Sequence, residues 1–177
     1  MSIRYRPVTS SNWPDLVQLF ESRGGPHPCW CMVWRRMDKS LDSKGKAAKK
    51  ASLQSYVERG LPVGLLGYAA DEPVAWCSVA PRESYKKLQA NNSLPGVWSL
   101  VCFYLKKEHR GQGLTKALIR QAMAYAKDNG AQYLEAYPVA ADSPSYRFMG
   151  FRPTFEQLDF EWRGMAGKRR NVMLTKL

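Results

Sequence analysis

The chain has 177 residues, of which 45% are hydrophobic, and a formal net charge of +12. This length and apolar fraction suffice for one domain with a buried core, and no shift in composition divides the chain. No apolar run reaches the ~20 residues that a membrane-spanning helix requires, and no apolar stretch follows the charged N-terminus, which argues against a membrane anchor and a secretory signal. We therefore expect a single domain over residues 1–177 that resides in the cytoplasm.

The first half of the chain predicts a strand, two helices and a hairpin. Asn12 and Pro14 are typical of a helix start, whereas the glycines and prolines of segment 23–28 prevent regular structure. The predicted elements are a strand at 3–8, helices at about 13–22 and 43–59, and hairpin strands at 61–70 and 74–80 around a turn at 71–73. Residues 81–95 are expected to form a loop or a short helix.

The second half alternates strand and helix patterns. Residues 98–105 form a strand pattern that is too apolar for a surface. A helix is predicted from Leu114, because apolar residues recur at three- and four-residue spacing up to the stop signal at 128–130. Residues 132–139 and 171–177 predict two further strands. Strands and helices in this order predict a mixed α/β sheet.

Positive charge is concentrated in two segments. Residues 35–59 hold eight Lys or Arg against three Asp or Glu, and residues 161–177 hold five against one. Such a field attracts anions, which include phosphorylated cofactors, acidic small molecules and nucleic acid. A basic surface that only keeps the protein in solution fits the same composition, so the charge alone leaves the partner open.

The turn between the apolar strand 98–105 and the helix that follows has the composition of an anion site. Gly111 and Gly113 allow the backbone to bend tightly and to approach a ligand, so that main-chain N–H groups point at a phosphate. Arg110 adds a charged side chain for the same anion. The turn lacks the Lys-Ser or Lys-Thr pair of a nucleotide P-loop and the spaced glycine triplet of a dinucleotide fold.

Two motifs in register resemble those of the GNAT acyl-CoA N-acetyltransferases. Arg110, Gly113 and Thr115 match the pyrophosphate-binding pattern of that family, with Thr115 as a departure at the last position. Residues 146–151, from Tyr146 to the Gly-Phe pair, resemble the end of the family's last helix and the turn into its next strand. The resemblance covers residues 60–156. It implies a single-domain GNAT fold, with a mostly antiparallel sheet splayed between its fourth and fifth strands and flanked by helices.

The resemblance implies acetyl-CoA as co-substrate and assigns residues to it. The fourth strand would hold the pantetheine arm and polarise the acetyl carbonyl through its backbone, and Ser143 would lie near the same arm. The expected cofactor-binding residues are Phe103, Tyr104, Leu105, Arg110, Gly111, Gln112, Gly113, Leu114, Thr115 and Ser143.

Tyr146 and Glu135 are the candidate catalytic residues. The resemblance implies that Tyr146 protonates the departing thiolate, and a tyrosine that only packs beneath the following turn is the alternative. Glu135 is flanked by apolar residues and would be costly to bury alone, so that it either faces the cleft as a general base or pairs with a cation. Binding the ammonium of an acceptor is another role for it.

The resemblance implies that the segment between the first two helices covers the acceptor site. It carries aromatic and basic side chains suited to a planar or anionic group, and together with residues 76–82 it resembles a bacterial subset of the same family with a Cys-Trp-Cys-Met segment. The expected acceptor-binding residues are Cys29, Trp30, Met32, Trp34, Arg35 and Arg82. For Arg82 a surface salt bridge is the alternative.

His27, Cys29 and Cys31 alternate along the chain, but a structural zinc site needs four ligands and no second Cys or His pair lies nearby in sequence. We therefore expect no metal. Four cysteines in a chain of this size do not make a disulfide framework. A catalytic cysteine is equally disfavoured, since direct transfer needs no acyl-enzyme.

The sequence predicts an N-acetyltransferase that transfers acetyl directly to a primary amine. The expected acceptor is a small molecule with an acidic group, and an aminoacyl-tRNA or a protein amine is the alternative. A non-catalytic acyl-CoA sensor is the competing class, and no signature supports a DNA-binding protein. The protein is expected to be a monomer or a homodimer.

Overall fold

The computed structural model describes residues 2–37, 45–86, 88 and 93–177. The described residues form one seven-stranded sheet with helices on both faces. The elements are β1 (Ile3–Pro7), α1 (Trp13–Glu21), α2 (Lys46–Glu58), β2 (Leu65–Ala69), β3 (Glu72–Pro81), β4 (Val97–Leu105), α3 (Leu114–Asp128), β5 (Tyr133–Ala136), α4 (Arg152–Glu156), β6 (Glu161–Ala166) and β7 (Arg170–Lys176).

The strand order is β1-β2-β3-β4-β5-β7-β6, and every neighbouring pair is antiparallel except β4 and β5. The parallel pair is short. It runs from Val97 opposite Tyr133 to Leu100 opposite Ala136, whereas β4 continues to Leu105. The sheet is therefore split beyond Leu100, which confirms the expected mixed α/β fold with a splay between its fourth and fifth strands.

A β-bulge in β4 coincides with this split. On the β3 side, Val79 is opposite Leu100 and Ser78 is opposite Cys102, so that Val101 is an extra residue in β4. A bulge bends its strand and increases the local twist. The bulge lies directly after the last residue of β4 that pairs with β5, which is Leu100.

Two apolar layers cover the sheet, and β3 contributes alternate residues to them. Trp76 and Ala80 pack with α1 and α2 on one face, whereas Ala75, Cys77 and Val79 pack with α3 on the other. A strand buried on both faces has no polar side to alternate with. This explains why β3 and β4 have nearly continuous apolar sequences.

Most predicted elements are confirmed, with differences at their ends. Residues 43–44 of the second predicted helix and residues 87 and 89–92 of the predicted loop lie outside the described residues. The first hairpin strand begins at Leu65 rather than at 61, and residues 72–73 belong to β3 rather than to the turn. The helix end expected before Gly150 is wrong. Residues 147–149 form only a 3-10 turn, and Tyr146 before it has a left-handed backbone with φ of 59°. Pro144 and its polar neighbours favour a turn over a helix at this point.

Gly64 is the position at which the fold tolerates a side chain least. A Cβ atom there would lie 2.0 Å from the carbonyl oxygen of Cys77, in a backbone with φ of +151°. We predict that Gly64→Ala lowers the free energy of unfolding by about 3 kcal/mol, since strain and overlap with fixed backbone combine. Urea unfolding measures this change.

Gly60→Ala is the matched control, because Gly60 also has a positive φ, of +69°, but a Cβ there meets nothing within 4 Å. Backbone strain alone should cost it about 1–2 kcal/mol. Equal losses of unfolding free energy in the two variants would contradict the close contact between Gly64, just before β2, and the backbone of β3.

Candidate active site

A cleft of about 750 Å³ lies where the sheet splits. Its walls come from four parts of the chain: Gly24, the end of β4, the glycine turn with the first turn of α3, and the segment from Arg147 to Thr154 in α4. The residues that line it are Gly24, Phe103, Tyr104, Leu105, Arg110, Gly111, Gly113, Leu114, Thr115, Lys116, Arg147, Phe148, Gly150, Phe151 and Thr154.

The glycine turn has the geometry of an anion site. Gly111 and Gly113 have left-handed backbones with φ of +73° and +77°, and Gly113 is the N-cap of α3. The first amide groups of a helix have no carbonyl partner within it, and they carry the positive end of the helix dipole. Arg110 is held at the mouth of this turn by a hydrogen bond of 3.0 Å from its Nε to the carbonyl of Leu105.

A smaller cavity of about 160 Å³ adjoins the cleft. The two share Gly24, Phe103, Tyr104 and Phe148. We call the smaller cavity the apolar pocket, because its walls are hydrocarbon, aromatic rings and thiols. Its lining residues are Gly24, Pro26, Cys29, Cys31, Val33, Trp34, Val101, Cys102, Phe103, Tyr104 and Phe148.

Two thiols of the apolar pocket, those of Cys29 and Cys31, have raised pKa values and are protonated. A hydrogen bond with Cys31, together with burial, raises the pKa of the Cys29 thiol far above its ordinary value. Burial is the main cause that raises the pKa of Cys31, followed by its hydrogen bond with Cys102, whose sulfur lies 2.9 Å away. Neutral thiols behave as small apolar groups and as poor nucleophiles.

Tyr146 stands at the edge of this site and lines neither cavity. Its side chain is partly exposed, and its ring centroid lies 6.2 Å from that of Trp34 and 6.3 Å from that of Phe148. Both of these rings line the apolar pocket. The guanidinium of Arg170, on β7, lies 4.2 Å from the Trp34 ring centroid and 5.8 Å from that of Tyr146.

Glu135 lies inside the sheet and does not face the cleft. Its side chain is fully buried. Oε1 accepts hydrogen bonds from Arg82 Nε at 2.8 Å, Ser99 Oγ at 2.7 Å and Tyr137 Oη at 2.6 Å, and Oε2 accepts a second bond from Arg82. The carboxylate has four hydrogen-bond donors and does not line the cleft, so this geometry favours the alternative role of Glu135, which is to pair with a cation.

Arg82, a residue of the predicted acceptor set, makes the other half of these contacts. Its guanidinium is the bidentate partner of Glu135, and it lines neither the cleft nor the apolar pocket. The salt bridge that was the alternative is present, and it is partly buried rather than on the surface.

Three residues of the expected acceptor segment point into the core instead. Trp30 packs between Trp13 and Phe20, with ring centroids 5.9 and 5.2 Å away. Met32 is buried in the same cluster. Arg35 is fully buried, and it donates hydrogen bonds to the carbonyl of Val63 and to the hydroxyls of Ser78 and Tyr85.

The tight turn at Trp30 and Cys31 explains this arrangement. Both residues have left-handed backbones, with φ of 49° and 50°, which rotate the side chains away from a strand-like alternation. Cys29 and Trp34 therefore remain as the members of the predicted acceptor set that line the apolar pocket, and Cys31 joins them.

Eight of the ten predicted cofactor residues line the cleft, and two do not. The side-chain amide of Gln112 donates to the carbonyl of Glu108, and the Ser143 hydroxyl donates to the carbonyl of Ser145. Seven residues that line the cleft are not among those predicted from the sequence, and these are Gly24, Lys116, Arg147, Phe148, Gly150, Phe151 and Thr154. Four of them belong to the motif at 146–151, which was therefore the available signal.

Among the described residues, no group of three or more His, Cys, Asp or Glu side chains is arranged to hold a metal ion. In the same part of the chain, no helix has the length and apolar character to cross a bilayer.

A sequence model of the acetyltransferase (GNAT) family matches residues 26–151. The chain belongs to the GNAT acetyltransferase family. The matched range holds the glycine turn, the split between β4 and β5 and most of both cavities. No curated protein sequence matches the chain.

Solved structures of other GNAT proteins share the fold. The PaiA N-acetyltransferase of Thermoplasma acidophilum, in complex with coenzyme A, has 15% identity over 100% of both chains, with a TM-score of 0.59. The aminoglycoside acetyltransferase AAC(6')-Ib, in complex with coenzyme A, has 14% identity over 99% of this chain and 95% of its own, with a TM-score of 0.63. The GNAT domain of S. lividans PAT has 16% identity over 99% and 90%, with a TM-score of 0.60.

The Arg82–Glu135 pair should be essential for stability. We predict that Arg82→Ala lowers the free energy of unfolding by about 3 kcal/mol, because it leaves a buried carboxylate without its cation. Arg163→Ala is the control, since Arg163 pairs with Glu161 on the surface. Urea unfolding should show little change in the free energy of unfolding for the control. A comparable loss in both variants would show that the buried pair stabilises the fold no more than the surface pair does.

Proposed function

We propose that this protein is an acetyl-CoA-dependent N-acetyltransferase that transfers acetyl directly to a primary amine. One observation carries the proposal: the split between β4 and β5 opens a cleft that has an anion-binding turn at one end and an apolar pocket at the other. Phe103 and Tyr104 line both spaces, so a cofactor and an acceptor can meet at β4.

The cleft fits coenzyme A in charge and in shape. The glycine turn offers backbone N–H groups to a pyrophosphate, and Arg110, Lys116 and Arg147 bring positive charge to the same cavity. A further cavity of about 700 Å³ shares Gly24, Tyr104 and Arg110 with the cleft. Three of its other lining residues are basic and one is acidic, and these are Arg23, Lys106, Lys107 and Glu108. This basic extension suits the remaining phosphate of coenzyme A.

The end of β4 offers main-chain groups to the pantetheine arm. Beyond Leu100 this strand does not pair with β5. Its N–H and C=O groups on that side are therefore available to a ligand, as those of an exposed strand edge are. The same amides could polarise the carbonyl that is attacked. Bound acetyl-CoA supplies an acetyl group activated as a thioester. The coenzyme A in the structures of PaiA and AAC(6')-Ib supports this choice of cofactor.

Tyr146 is the proposed proton donor to the departing sulfur. Its hydroxyl belongs to a partly exposed side chain next to Trp34, which lines the apolar pocket, and Phe148, which lines both cavities. A phenol can protonate a thiolate if it comes within hydrogen-bond distance. The nearby Arg170 would stabilise the phenolate that remains.

No Asp, Glu or His of the described chain lines the cleft or the apolar pocket. This absence favours loss of the amine proton to solvent rather than to a dedicated base. The raised pKa values of Cys29 and Cys31 favour direct transfer over an acyl-cysteine intermediate, because a protonated thiol is a weak nucleophile.

Tyr146→Phe tests the proton donor. We expect the variant to lower kcat by about 10²-fold, since general acid catalysis contributes at least that factor, and to leave the KM for acetyl-CoA unchanged. Tyr133→Phe on β5, which lines neither cavity, serves as the control. Steady-state assays of coenzyme A release measure both. Cofactor binding without transfer in the wild type would favour a sensor instead of an enzyme.

Arg110→Ala tests the cofactor end of the cleft. The variant should weaken acetyl-CoA binding about tenfold, because one charge-assisted contact to phosphate is lost. Arg120→Ala is the control for net charge, since Arg120 is exposed on α3 and does not line the cleft. Isothermal titration gives the dissociation constant of acetyl-CoA for each variant. Identical constants for the two variants would show that the phosphates of the cofactor do not bind at Arg110.

A further inference from the structure

We propose that the apolar pocket selects amine acceptors that carry an uncharged apolar group of about the size of a benzene ring. The inference rests on the proposed function, because it assigns the pocket to the acceptor of that reaction. It differs from the expectation of an acidic small molecule, since the described residues that line the pocket include no Lys or Arg that could pair with an acidic group.

The chemistry of the walls excludes charge from the pocket interior. Its lining has no Asp, Glu, Lys, Arg or His among the described residues, and the thiols of Cys29 and Cys31 are held in the neutral form. Burying a charged or strongly polar group without a partner costs several kcal/mol. Carboxylates, polyamines and sugar hydroxyls are therefore poor occupants, whereas hydrocarbon is a good one.

The volume of the pocket limits the size of the group that can occupy it. Its volume of about 160 Å³ is close to that of an engineered apolar cavity of ~150 Å³ that binds benzene. The rings of Trp34 and Phe148 form part of its wall, and they offer faces and edges to an aromatic group. Smaller alkyl groups would leave part of the volume unfilled and lose contacts.

The position of the pocket places the amine at the reaction centre. The cleft and the pocket meet at Phe103, Tyr104 and Phe148. A ring inside the pocket with a chain of one or two carbons would bring its amino group to this boundary, next to the unpaired end of β4. An extended acyl group on the cofactor is the other occupant that could reach the pocket from the cleft.

The experiment compares kcat/KM for 2-phenylethylamine, ethylamine and spermidine at saturating acetyl-CoA. We expect 2-phenylethylamine to be preferred over ethylamine by about 30-fold or more, the factor that corresponds to burying an aromatic side chain. In Cys29→Trp, which adds an indole at the half-buried rim of the pocket, this ratio should fall toward one. Tyr133→Phe should keep the ratio.

Binding of 2-(4-fluorophenyl)ethylamine, observed by fluorine NMR with coenzyme A present, gives a measure that does not require turnover. We expect a shifted or broadened signal in the wild type and its loss in Cys29→Trp. This result without acetylation of any amine would support the pocket assignment and overturn the transferase.

Two results would overturn the inference and leave the transferase standing. One is an equal or higher kcat/KM for ethylamine or spermidine. The other is a preference for phenylacetyl-CoA over acetyl-CoA that Cys29→Trp removes, because the pocket would then hold the acyl group rather than the acceptor.

Discussion

The candidate site depends on the point at which β4 and β5 stop pairing. Glu135 lies opposite Ser99, one residue before the last pair, and its buried carboxylate binds donors from Arg82 after β3, from Ser99 on β4 and from Tyr137 beyond β5. One anion thus joins three segments at the base of the split. The bulge at Val101 follows directly, where the pairing of β4 with β5 ends.

Charge is divided along the cleft in the way that the proposed reaction needs. The end near α3 has Arg110, Lys116 and the open helix terminus for phosphates, whereas the other end has aromatic rings and neutral thiols. Apolar surroundings strengthen hydrogen bonds to a developing charge and exclude water from the reacting groups. Tyr146 and Arg170 lie beside the apolar end, where a proton donor for the sulfur is required.

The sequence was most informative where local chemistry determines the structure. The apolar run of β4, the period of α3 and the paired glycines at 111 and 113 each predict their own element, and each is present. The directions of side chains in the 29–35 segment could not be predicted, because left-handed residues at Trp30 and Cys31 break the alternation and neither is a glycine. The environment of Glu135 was hidden for another reason: its partner Arg82 is 53 residues away in the chain. The apolar pocket, likewise, is assembled from distant segments that no spacing rule connects.

The crystal structure of the protein with coenzyme A tests the central claim most directly. The account predicts electron density for the pantetheine arm along β4 between Val101 and Leu105, with the pyrophosphate on the amides that follow Gly113. The sulfur should lie at the boundary with the apolar pocket, near Tyr104. Coenzyme A bound outside the split, or a split closed by continued pairing of β4 with β5, would contradict it.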